Sequence, residues 1–208
     1  MSYVNQAVEG MAVTWRNKDL DQPLSAHEVE YFSNLAAQTP TKQSNKYFNL
    51  FAITNQSLIK KIFYNTKVPL STTGNRMKQY ANSQVISPLL LAWVSCYLEV
   101  GQTSREYIDL MNDEDIIIDT HQAVGISAGV VSYEANQKGF VTGYCRCFQG
   151  DKIKNDLRDE GYEIGSGERI LLLLGIGKQK FGDPRRHQFY DISYQPHDRI
   201  DPDIYYIK

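Results

Sequence analysis

The spacing of apolar residues changes period twice between residues 25 and 54. Ser25 with Glu28 three positions on has the spacing of a capping box, and Leu24 and Val29 stand where a hydrophobic staple closes a first turn. Val29, Phe32, Leu35 and Ala36 then recur at helical spacing, which buries one face and leaves Glu28, Glu30 and Asn34 to water. Thr39-Pro40 ends this helix, placed over residues 25–38, because the residue before proline is pushed out of the helical region. From Tyr47 to Thr54 the period is two, with Phe48, Leu50 and Ala52 on one face and Phe51 and Ile53 on the other, the pattern of a central strand. Thr41, Gln43, Ser44 and Asn45 are thereby held on a short connection between two fixed elements, where side chains are available to a ligand. Taken alone, such a loop reads first as an ordinary polar connection.

The flanking segments follow the same logic. Residues 1–24 open with a short helix around Val4 to Val13 and continue as a charge-mixed stretch containing Arg16, Asn17, Lys18 and Asp19. Ser57 to Tyr64 reads as a second helix with Leu58, Ile59, Ile62 and Phe63 inward, Val68 to Gly74 as loop, and Asn75 to Ser83 as helical. Pro88 to Val94 is a nearly continuous apolar run of strand length, hence a strand covered on both faces. Residues 99–118 are polar and acidic, a surface excursion. From Asp119 to Lys138 small and apolar residues recur nearly all round a helix, with a notch at Gly125, Ser127, Ala128 and Gly129 and a stop at Gly139. Such a helix lies in a core or at a subunit interface, and the pattern by itself favours the core. Gly139 to Phe148 is a turn and an extended piece, and Asp151 to Glu160 an amphipathic helix resting on Ile153 and Leu157. Ile170 to Leu174 is a third buried strand, and residues 178–208, without a clear period, form an arm lying on a surface.

Composition narrows the function classes. A chain of 208 residues suits one domain, or one subunit of a dimer. A formal charge of -2 and a pI near 6.1 argue against a nucleic-acid surface. No apolar run approaches the roughly 20 residues needed to cross a bilayer, so no membrane partner and a cytoplasmic location are expected. The three cysteines suit a reducing compartment, and Cys145 with Cys147, one residue apart and lacking a second pair, do not make a metal site. Neither phosphate-cradling glycine motif is present, which excludes Rossmann and nucleotide-triphosphatase readings. His27, His121, His187 and His197 share no motif with a nucleophile.

In order and spacing these pieces resemble the nitroreductase family of FMN-dependent oxidoreductases over most of residues 10–187. Pro40-Thr41-Lys42-Gln43-Ser44-Asn45-Lys46-Tyr47-Phe48 stands where the family has a Pro-Ser-rich loop leading into a strand. Asn82-Ser83-Gln84-Val85-Ile86-Ser87-Pro88 is similar to its polar helix end before an Ala-Pro strand, and Gly139-Phe140-Val141-Thr142 to its Gly-Leu-x-Thr. Leu174-Gly175-Ile176-Gly177 followed by Arg185-Arg186 matches its closing strand and basic residue. Two motifs depart: the opening Arg-x-Ser-x-Arg is represented only by Arg16 and Lys18, and the usual Gln-Pro after the loop is Lys46-Tyr47.

The resemblance implies an α+β fold, a three-layer α/β/α sandwich on a mixed, mainly antiparallel sheet, in an intertwined homodimer with FMN between subunits. It places the helix at 119–138 in the interface and gives the Tyr-rich tail the task of embracing the partner. FMN would have its phosphate held by Arg16, Lys18, Arg185 and Arg186, with Asn17 alongside, since a dianion needs fixed cations. Thr41, Gln43, Ser44, Asn45 and Asn82 would meet the pyrimidine edge, and Tyr144, Cys145, Arg146 and Cys147 would pass the redox-active N5 edge. The implied reaction is ping-pong transfer of a hydride from NADH or NADPH, through flavin N5, to a nitroaromatic, quinone or similar small electron acceptor. It needs no catalytic side chain. Two alternatives stand beside it: the same fold with other chemistry, such as dehalogenation or flavin breakdown, and a non-catalytic flavin-binding protein.

Overall fold

The computed structural model describes residues 15–66, 68–70, 78–80, 82–99 and 112–180. The capping box forms as the sequence requires. The Ser25 hydroxyl accepts from the Glu28 amide at 3.2 Å, while the Glu28 carboxylate accepts from the Ser25 amide at 2.7 Å, which starts α1 (Ala26–Ala37). The helix stops three residues before Pro40, and the Thr39 hydroxyl donates to the carbonyl of Ala36. A 3-10 turn (Lys42–Ser44) leads to β1 (Lys46–Ile53), and Asn55 caps α2 (Gln56–Asn65) by accepting from the amides of Ser57 and Leu58. Next come β2 (Val68–Leu70), β3 (Lys78–Tyr80) and β4 (Leu89–Glu99), then α3 (Asp113–Gln137), β5 (Val141–Cys145), α4 (Gly150–Asp159) and β6 (Ile170–Gly177).

The main sheet has the order β1-β4-β6-β5, and every pair in it is antiparallel. β4 explains the layering. Residues Leu89 to Val94 are all 0% exposed, because alternate side chains enter two different cores. Leu89, Leu91 and Trp93 join Phe32 and Ala36 of α1 and Ala128 and Val131 of α3. Leu90, Ala92 and Val94 join Leu58 and Ile62 of α2 and Ile153 and Leu157 of α4. The sheet is thus sandwiched between two helical layers, a fold of α/β/α type. Polar staples fix the first layer: the Ser127 hydroxyl donates to the carbonyl of Ala36 and accepts from the Trp93 indole, tying α3 to α1 and β4.

Four sequence expectations change. β1 lies at an edge of the described sheet rather than at its centre; apolar residues on both faces report cover above and below, not a lateral neighbour. Residues 68–70 and 78–80 pair as a short hairpin where loop and helix were expected, since three ladder pairs are too few to show a period. The long helix starts at Asp113, with the Asn112 side chain accepting from the Asp115 amide, so 113–118 is helix rather than excursion. This helix is also not buried all round. Ala123, Val124, Ser127, Ala128 and Val131 face the core, whereas Ile117 is 57% exposed and Ile118, Ile126, Val130 and Tyr133 also face outward. The helix expected around Val4 to Val13 and most of the arm lie outside the described residues.

Candidate functional site

The residues singled out by the sequence gather into two sets. The first surrounds the start of β4. Residues 15–19 run across the ends of β5 and β6: the Trp15 amide donates to the carbonyl of Thr142 at 2.9 Å, and the Asp19 amide to that of Lys178 at 2.8 Å. Asn17 donates its side-chain amide to the carbonyl of Lys180 at 2.8 Å. Two glycines permit this close approach. A Cβ on Gly143 would sit 2.4 Å from the Trp15 carbonyl oxygen, and one on Gly175 would sit 2.3 Å from that of Gln84. Lys18 is fully enclosed, its ammonium donating to the carbonyls of Trp15 at 2.9 Å and Gln84 at 2.8 Å. Placed there, the amine faces carbonyl dipoles inside the protein.

Arg16 is half-buried, and its charge is felt at Cys145. Asn82 does not cap the 3-10 turn (Ser83–Val85) that follows it. Its side chain instead donates to the carbonyls of Cys147 at 3.0 Å and Thr66 at 3.3 Å, joining the β5 exit to the end of α2. Burial pushes the Cys145 thiol up to about 12, so it stays protonated at neutral pH, while Cys147 and Arg146 are exposed. The Arg146 guanidinium lies over the Phe148 ring. Tyr144 donates its hydroxyl to the carbonyl of Ala128 at 3.0 Å and so braces α3 against β5. Sequence reasoning passed over Ser83 and Gln84, whose Oγ and Oε1 atoms are buried with no hydrogen-bond partner among the described residues. The polar run Asn82-Ser83-Gln84 ahead of a wholly apolar strand was the available signal.

The second set is the loop between α1 and β1. The Thr41 hydroxyl donates to the carbonyl of Asn45 at 2.7 Å, and the amides of Ser44 and Asn45 turn back onto the carbonyls of Thr41 and Lys42. Ser44 has a φ of 59°, the left-handed region, and its side chain is exposed. Gln43 lies on the turn. Lys42 makes a 2.8 Å ion pair with Asp119 of α3. The loop and the last turn of α1 border a groove of about 660 Å³ lined by Asn34, Gln38, Thr41, Ser44 and Asn45 among others. That volume falls within the roughly 300–1,000 Å³ of cofactor clefts. Arg185 and Arg186 lie outside the described residues.

The two sets are far apart. Lys46, next to the loop, pairs with Glu99 at the end of β4, whereas the Gln84 carbonyl lies over Gly175, which pairs with Leu90 near its start. The seven residue steps of β1 from Lys46 to Ile53, which pairs with Leu90, amount to roughly 23 Å at about 3.3 Å each.

No family model matches the sequence, and no curated protein does. Solved structures do match. Nitroreductase A from Vibrio parahaemolyticus superimposes with a TM-score of 0.62 at 12% identity, covering 86% of this chain and 69% of that one. The chain has the nitroreductase fold. A nitroreductase family protein from Clostridium novyi gives a TM-score of 0.60 at 14% identity, with 87% of each chain covered. The NADPH:FMN oxidoreductase from Vibrio harveyi, complexed with NAD+, gives 0.59 at 11% identity over 98% of this chain and 80% of that one. Within this fold, the groove and its lining of amides and hydroxyls have the size and chemistry of a small-molecule cleft.

Proposed function

We propose that the protein is an FMN-dependent oxidoreductase acting as a homodimer, with NADH or NADPH as donor and a nitroaromatic, quinone or similar small molecule as acceptor. The observation that carries this reading is the presence of two ligand-suited sets set apart along one sheet in a nitroreductase fold. With roughly 23 Å of β1 between the loop and the level of Gln84, the two sets serve one cofactor when two copies bring them together. The outward stripe of α3 supplies the means. Ile126, Val130 and Tyr133 form an exposed apolar row, and a Cβ on Gly125 or Gly129 would meet nothing within 4 Å, which leaves room for a second backbone.

When bound, FMN supplies the hydride chemistry at N5, which makes the reaction ping-pong. The chain's own residues bind and orient. Arg16 would meet the phosphate with paired donors, a role the proposal extends to Arg185 and Arg186. Thr41, Gln43, Ser44 and Asn45 of one copy, with Asn82 of the other, would satisfy the pyrimidine edge. The segment Tyr144 to Cys147 would border the redox edge, where Arg146 would add positive potential. Cys145, protonated, contributes packing and no nucleophile.

Lys18 favours a second reading. With its ammonium enclosed, the family's phosphate grip is reduced to arginines, as expected of a relative that holds flavin but has changed or lost its reaction. Anaerobic loading with FMN decides between them. A yellow dimer bleached by NADH or NADPH supports the oxidoreductase, a yellow dimer inert to both supports the second reading, and a chain that takes up no FMN overturns both.

A further inference from the structure

Asp119 is a buried carboxylate on a helix whose neighbouring residues Ile117 and Ile118 face outward. It is 8% exposed, and its Oδ2 accepts from the Lys42 ammonium at 2.8 Å and from the Tyr47 hydroxyl at 3.5 Å. Those partners flank the polar loop: Lys42 opens its 3-10 turn and Tyr47 is the second residue of β1. The loop also holds Ser44 at positive φ, a conformation that a residue other than glycine keeps only where its surroundings impose it. The closing hydrogen bonds within residues 41–45 are short-range, and the ion pair spans 77 positions of sequence.

We propose that Asp119 is a positioning residue for flavin binding, fixing the Thr41–Asn45 loop to α3 through Lys42 so that the loop meets the cofactor in one conformation. The inference rests on the FMN reading above and adds a residue that neither touches the cofactor nor belongs to the loop. Its physical basis is conformational: a loop released from its clamp spends only part of its time in the shape that binds, and apparent affinity falls by that fraction. Placing the clamp on α3 has a second consequence. Because the same helix carries the apolar stripe, the loop is held in fixed relation to the surface by which a second copy would approach.

The test compares FMN dissociation constants, read by quenching of flavin fluorescence, for the wild-type chain, Asp119→Asn, Lys42→Met and the exchanged pair Lys42→Asp with Asp119→Lys. Thermal unfolding of the same proteins without FMN runs in parallel. The expected result is a rise of about tenfold in the dissociation constant for each single variant while both still fold cooperatively, with most of the loss recovered in the exchanged pair. Wild-type affinity in both folded single variants overturns the inference, as does a weakening that the exchanged pair fails to recover. A wild-type chain that binds no FMN overturns the proposed function itself, and this inference with it.

Discussion

At the residue scale, close contacts decide which positions tolerate change. Gly143 and Gly175 let the segments at 15–18 and 84–87 lie directly on the sheet, and an added Cβ would fall within 2.4 Å and 2.3 Å of carbonyl oxygens. Gly143→Ala and Gly175→Ala should each lower stability in urea by about 1–3 kcal/mol, since backbone cannot yield as a flexible side chain does. Buried Cys145 gives a pH dependence of definite sign. Its thiol is raised from an ordinary 9.0 to about 12 by burial, so above pH 9 the unfolded chain loses a proton that the folded chain keeps. Stability from this group is fully present below pH 9 and declines as pH rises from 9 toward about 12. Unfolding followed against pH should show this decline in the native chain and a weaker one in Cys145→Ala. The enclosure of Lys18 was not legible in the sequence, because a lysine in a charge-mixed stretch reads as a surface group until the fold places carbonyls around it.

At the scale of elements, legibility followed the strength of the period. The capping box at Ser25, the six apolar residues opening β4 and the Ile153/Leu157 face of α4 were readable because each carries a local signal that packing reinforces. The β2–β3 hairpin and the edge position of β1 were not, since strand pairing is a relation between distant segments. The start of α3 carried a signal that was passed over: Asn112 followed by Asp113, Glu114 and Asp115 is a cap with an acidic first turn. Of the candidate site, the polar loop was legible as a unit because two strong elements bracket it. Its clamp to Asp119 was not, lying 77 residues away. The same helix yields a prediction. Ile126→Asp and Val130→Asp alter only outward positions, so each should leave the folded chain's stability within about 0.5 kcal/mol while converting the proposed dimer to monomer by sedimentation.

At the scale of the whole molecule, the sheet acts as a spacer. It holds the loop beside the end of β4 and lays Trp15 and Gln84 over Gly143 and Gly175 near its start, so the proposed site forms between copies. No helix among the described residues is long and apolar enough to cross a membrane. The proposed site therefore depends on assembly, and complementation between two broken chains tests it most directly. One variant carries Arg16→Ala with Asn82→Ala, the other Thr41→Ala with Ser44→Ala and Asn45→Ala, and each alone should bind FMN weakly. After mixing and subunit exchange, half the dimers are mixed and each holds one intact site, so roughly a quarter of the wild-type FMN sites should return with native affinity. Recovery of no sites on mixing, or tight FMN binding by a chain that sediments as a monomer, would contradict it.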